Sequence, residues 1–164
     1  MPTLDRVRFT LLDAAVAILV LGLVALSVVH FGGGTEEPAI LASPAMTPGS
    51  LNPDVTQETI AQTICVRGWT ATVRPSTGYT NMLKGRQMPL YGETGSPSDY
   101  QEDHLISLEM GGSPTDPRNL WPEPYPRASQ MDQIENQLNS QICDGQLTLA
   151  QAQQQESEIK HTQG

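Results

Sequence analysis

Apolar residues are unevenly distributed along the chain, and the first run of them is the longest. From Phe9 to Phe31 there are 23 residues in which Asp13 and His30 are the only ionisable groups. A helix of about 20 apolar residues crosses the hydrocarbon core of a bilayer. Arg6 and Arg8 precede the run, and the first charges after it are Glu36 and Glu37. The positive-inside tendency then predicts a cytoplasmic N-terminus at 1–8, a single-pass inner-membrane anchor at 9–31, and a domain outside the cytoplasm. The alternative is a cleaved signal peptide, with Ala25 and Ser27 as its small pair, which would make the protein secreted. Residues 32–53 carry neither a helix nor a strand period. Gly32-Gly33-Gly34 opens this stretch, and Pro38, Pro44, Pro48 and Pro53 punctuate it. That composition predicts a flexible linker.

From residue 54 the pattern breaks into short elements. Asp54 or Thr56 can cap a short helix with Val55, Ile60 and Ile64 as its apolar positions, ending near Cys65. Trp69-Thr70-Ala71-Thr72-Val73-Arg74 is β-branched and aromatic and predicts a strand closed by Pro75. Residues 80–87 predict a short helix with Met82 and Leu83 inward, and loop signals hold from 88 to 98. Leu105-Ile106-Ser107-Leu108 predicts another strand. Gly111-Gly112 and Asp116-Pro117 mark turns, and Asn119-Leu120-Trp121-Pro122 follows. Helix signals resume with Ser129 as N-cap. Met131, Ile134, Leu138 and Ile142 form one buried stripe, and Asp132, Asn136 and Asn139 cluster about a quarter turn away. Leu147, Leu149 and Ala152 would dock a final amphipathic helix. The domain is therefore drawn at 54–152, with a polar tail at 153–164 that frays beyond Glu156 and in which His161 is solvated. Trp69 and Trp121 read as core aromatics.

Charge and cysteine count narrow the class. With 18 acidic and 9 basic residues the net charge is -9, which argues against a protein that coats nucleic acid by bulk charge. An enzyme that meets phosphate through a metal ion is still allowed. Cys65 and Cys143 are the only cysteines, and no C-x-x-C pair is present, which disfavours a zinc finger. In an exported chain the direct reading is one disulfide across 78 residues, worth about 4 to 5 kcal/mol by loop entropy. The alternative is two free buried thiols.

The candidate chemistry lies in YQEDHLISLEMGGSPTDPRNLWPEP, from Tyr100 to Pro124, and in the helix after it. Asp103 and His104 are adjacent, and Asn119 comes 15 residues after the histidine. The oxygen-bearing row Asp132, Asn136 and Asn139 could look into a cleft beneath the strands. This is a compact strand–strand–helix unit. Taken alone, a histidine such as His104 is more often a hydrogen-bonded structural residue than a catalyst, and Asp103 could cap a turn.

The combination D-H, G-G and N-L-W-P at this spacing resembles the HNH, or ββα-metal, endonuclease superfamily. The longer string is similar to a group of small bacterial and phage-associated domains reading DHLIPLELGG and NLWPEP. The resemblance implies an α+β fold: a small ββα-metal domain with flanking helices, after one N-terminal transmembrane helix. It implies a metal-dependent nuclease that hydrolyses phosphodiester bonds in DNA or RNA. His104 would be the general base and Asn119 would hold the loop and orient it. Asp103 would be a metal ligand, joined from the helix by Asn136 or Asp132. Oxygen ligands suit Mg²⁺ or Mn²⁺ better than Zn²⁺. Arg118 and Arg127 would contact phosphate. The chain departs from the pattern at Ser107, where proline is expected, and at Met131, where lysine is expected. Residues 53–152 also hold 12 acidic against 6 basic residues, a balance of -6. These departures allow an alternative: a catalytically inactive HNH-like envelope domain serving as a binding or structural module.

Overall fold

Two short strands form the centre of the fold. β1 (Tyr100–His104) and β2 (Leu120–Pro124) pair antiparallel, with Asp103 opposite Trp121 and His104 opposite Leu120. Four helices surround them: α1 (Trp69–Val73), α2 (Thr77–Tyr91), α3 (Arg127–Cys143) and α4 (Leu149–Thr162). The class is α+β, as expected. The structure, a computed structural model, describes residues 40–163. The N-terminus at 1–8, the anchor at 9–31 and the first part of the linker lie outside the described residues. Among the described residues no helix is long and apolar enough to cross a membrane.

The expected strand at 105–108 is absent, and β1 ends where it would begin. The cause is where the backbone donors go. The Ile106 N–H is taken by the Asn119 side chain at 3.0 Å, and the Ser107 N–H by both oxygens of Glu156. With those donors engaged the ladder cannot continue. The chain bends instead and enters a 3-10 turn at Leu108–Met110. Gly112 completes the bend: a Cβ there would stand 1.7 Å from the Ile106 carbonyl oxygen and 2.7 Å from Asn119 Nδ2. Only glycine admits that approach.

The expected strand at 69–74 is the helix α1. β-branched residues favour strands when neighbours cover a pleated surface, and no strand lies beside this segment among the described residues. Gly68 at φ 84° turns the chain into the helix, and half-buried Trp69 packs on the core. The first expected helix contracts to a 3-10 turn at Ile60–Gln62. There the Thr59 hydroxyl donates to the Asp54 carbonyl and accepts from the Thr56 N–H, local bonds that compete with helix formation. α2 is longer than expected at both ends. Ser76 caps it, and it runs through Pro89 to Gly92 at φ 76°, with Leu83 buried but Met82 exposed. α3 starts at Arg127 directly after Pro126, so Ser129 is inside its first turn and not its cap.

The main apolar cluster joins Val55, Ile64, Ile106, Met110, Leu138, Ile142, Leu149 and Ala152. The α3 stripe therefore faces inward as expected. Cys65 and Cys143 form the disulfide, tying the segment before α1 to the last residue of α3. A second cluster unites Ala42, Leu105 and Trp121. Ala42 corrects the linker boundary, because residues 40–53 lie on the domain. Ala42 N–H donates to the Lys160 carbonyl, Gly49 N–H to Arg118, and Leu51 bridges Gly112. Proline spacing concealed this, since the segment joins the fold by single bridges without a period of its own. The expected fraying tail is corrected too: α4 continues through Thr162, with Glu156 and Lys160 fully buried, and His161 Nε2 meets the Thr47 carbonyl at 3.0 Å.

Candidate functional site

Two cavities border β1, the larger along the whole strand and the smaller toward its His104 end. The larger, about 500 Å³, is bounded by Arg74, by the first half of α2 and by Tyr100, Gln101, Glu102 and Tyr125. The smaller, about 270 Å³, is bounded by Arg74, Ser107, Glu109, Glu135 and Asn136. Gln101, Asp103, His104, Asp132 and Arg74 border both. Successive strand residues leave on opposite faces, yet Asp103 and His104 border both cavities. The expected base and the three expected metal ligands, Asp103, Asp132 and Asn136, thus all border the smaller cavity.

His104 is fixed by its ring. Nε2 lies 3.1 Å from the Pro114 carbonyl, which can only accept, so Nε2 carries the proton. Nδ1 then holds the lone pair and has no protein partner among the described residues. Burial lowers the imidazole pKa against the opposing pull of Asp103, and the Lys160 and Arg74 charges push the same way as burial. The ring is therefore neutral near pH 7, as a general base must be.

Asn119 holds the loop that carries Pro114. It is fully buried; its Oδ1 accepts from Ile106 N–H, and its Nδ2 donates to the Ile106 carbonyl at 2.9 Å and the Ser113 carbonyl at 3.0 Å. Its influence on His104 passes through Ser113 to Pro114, with no direct contact to the ring.

Asp103 is the most altered expectation. Its Oδ1 accepts from Gln101, and its Oδ2 sits 2.7 Å from the Lys160 ammonium. Burial alone would raise its pKa, but the Lys160 ammonium, with a smaller contribution from neighbouring Glu123, outweighs that and brings it down to about 2. Glu123 is pushed up to about 9 by burial and by the Asp103 charge, so it stays protonated. Burial likewise raises Glu135 well above the usual range and Glu156 to about 7. Lys160 keeps its charge because the surrounding carboxyl groups overcome its desolvation.

The expected helix ligands are nearby but not convergent. Asp132 and Asn136 are both exposed, and Asn136 Nδ2 donates back to the Asp132 carbonyl at 2.6 Å. Asn139 turns away and bonds the Ile64 and Glu109 carbonyls. Among the described residues no three His, Cys, Asp or Glu side chains are gathered closely enough to hold a metal ion. The donor set along the smaller cavity is nonetheless rich in oxygen. Asp103, Glu109, Asp132 and Asn136 all border it, and Glu109 Oε2 is buried without a partner. That chemistry suits a hard divalent cation.

The expected phosphate contacts lie elsewhere. Arg118 is engaged by Asp116 at 2.6 Å, and Arg127 stands 4.0 Å from Glu123. Neither borders either cavity; Arg74 borders both, and Lys84 the larger. No protein-family model, curated protein or solved structure matches this chain. The sequence reading missed Arg74, Gln101, Glu135, Glu156 and Lys160. A signal existed for two of them: Leu149, Ala152, Glu156 and Lys160 repeat at 3, 4 and 4, one stripe of the last helix.

Proposed function

We propose that this domain is a metal-dependent HNH-type nuclease that hydrolyses phosphodiester bonds in nucleic acid outside the cytoplasm. The observation that carries the reading is His104: a ring whose Nε2 lies 3.1 Å from the Pro114 carbonyl, whose Nδ1 has no partner among the described residues, and which borders two cavities. Nδ1 takes a proton from water, the hydroxyl oxygen forms a bond to phosphorus, and the bond to the leaving oxygen breaks. Solvent protonates that oxygen and later deprotonates the imidazolium. Arg74 neutralises part of the charge on the phosphate. A divalent cation, Mg²⁺ or Mn²⁺, held by Asp103 with Asp132 or Asn136, would neutralise the rest and assist the leaving oxygen.

One observation favours a second reading. Asp103 already has a cation partner in Lys160, as suits an inactive envelope domain that uses the same scaffold for binding. The deciding experiment is cleavage of plasmid DNA and of RNA by the full-length oxidised protein with Mg²⁺, Mn²⁺, Zn²⁺ or EDTA, beside His104→Ala. Metal-dependent cutting that disappears in the variant is the expected result. No cutting with any metal, by protein with a native circular dichroism spectrum, would leave the binding-module reading.

A further inference from the structure

We infer that Glu156 and Lys160 of α4 form a clamp that positions the His104 end of β1, making the last helix part of the site. The inference rests on the nuclease reading and names the residues that hold its base in place. An ammonium group has three protons, and all three of Lys160's are engaged. They go to Asp103 Oδ2 at 2.7 Å, the His104 carbonyl at 2.5 Å and Glu135 Oε1 at 2.7 Å. All three acceptors belong to residues that border the smaller cavity. One helical turn earlier, both Glu156 oxygens accept the Ser107 N–H at 3.0 Å. The two side chains therefore grip the backbone on both sides of the bend from His104 to Ser107. Ser107 supplies through its N–H the donor that Glu156 needs, which a proline there could not. Neither residue reaches solvent, so they are positioning residues and do not touch substrate. Stability alone gives a poor reason for burying them, because an apolar pair of similar volume is often at least as stable as a buried ion pair.

The test uses full-length protein and two variants, Lys160→Met and Glu156→Gln, with two readouts. The first is kcat and KM on a fluorescent oligonucleotide with Mn²⁺. The second is the ¹⁵N spectrum of the His104 ring, which reports its tautomer without any turnover. Lys160→Met is expected to lower kcat about 100-fold, with KM within about threefold, because small misplacements of a reacting group are that costly. The Nε2-protonated ring signature should be lost as well. Glu156→Gln keeps an acceptor for Ser107 and should lower kcat about tenfold with a smaller ring shift. A folded Lys160→Met with wild-type kcat and ring spectrum overturns the clamp. If Lys160→Met does not fold, Glu156→Gln decides: no change in ring spectrum or kcat overturns it. If wild-type protein cuts nothing, the nuclease reading falls, and the ring spectra alone uphold or overturn the clamp.

Discussion

Reducing the Cys65–Cys143 disulfide should remove a large share of the domain's stability, and its size follows from the fold. The bridge closes a span of 78 residues. The chain-entropy relation gives about 15 cal/mol/K for that loop, or about 4.5 kcal/mol at 25 °C. Domains of this size are stable by about 5–15 kcal/mol, so the loss is a third or more of the total. With unfolding entropy near 2.1 cal/mol/K per residue, the same loss lowers Tm by about 15–20 °C. The assay is guanidinium unfolding followed by circular dichroism, comparing oxidised protein with Cys65→Ser/Cys143→Ser. The double variant should show a lower midpoint and a larger m value, since its unfolded chain is no longer looped. A functional consequence is attached. Cys65 anchors the segment leading through α1 to Arg74, while Cys143 ends the helix carrying Asp132 and Asn136. Opening the bridge frees one wall of the cavities from the other, so affinity for phosphate-bearing ligands should fall with stability. A stability change below 1 kcal/mol would refute the argument, because the loop-length term would then be absent.

Asn119→Ala should destabilise the domain by about 3–5 kcal/mol in the same assay, because it strands the buried N–H and carbonyl of Ile106. Stability should also fall as pH rises. Glu156, Glu102 and Glu123 have pKa values raised to about 7, 8 and 9. An acid raised on folding holds its proton in the fold, so its contribution is intact below the unfolded value of 4.5 and is lost as pH climbs through the folded value. Asp103 works oppositely, contributing above 3.8 and losing that contribution as pH falls toward 2. Urea midpoints should therefore peak near pH 4–5 and decline to pH 9; a steady rise over that range contradicts the buried carboxyl cluster.

The sequence displayed the motif and the α3 stripe well, because each is carried by regular spacing. The disulfide was legible from the cysteine count taken with the expected export. What it hid were choices made by tertiary partners. The 105–108 segment alternates like a strand, but Asn119 and Glu156 take its backbone donors. Trp69–Val73 is strand-like in composition and helical for want of a neighbouring strand. The last helix was cut short for a chemical reason. Glu156 and Lys160 continue the spacing of Leu149 and Ala152, but charged residues on a buried stripe read as its end. Their mutual compensation with Asp103 and Glu135 exists only once α3, α4 and β1 meet.

The same cluster bears on how an acidic domain could meet nucleic acid. Residues 40–163 hold 14 acidic and 7 basic residues. Lys160 is buried, Arg118 is paired with Asp116, and Arg127 faces Glu123. Among the described basic residues only Arg74 and Lys84 border the cavities, exposed Arg67 and Arg86 lying outside both, and Lys84 already donates to the Pro97 and Tyr100 carbonyls. Few phosphates can be neutralised at once, so binding must be local and not spread along a duplex. Each neutralised phosphate contributes about -0.9 to the slope of log affinity against log salt on duplex DNA and about -0.7 on single strands. Two cations then predict slopes of about -1.8 and -1.4, and Arg74→Ala should make either shallower by one such increment. Fluorescence anisotropy of a labelled oligonucleotide with the His104→Ala protein in EDTA, titrated from 50 to 300 mM salt (about that range suffices), reads the slope directly. A slope steeper than about -4 would place the contact on a broad basic surface, and the cleft at His104 would not be where the strand binds.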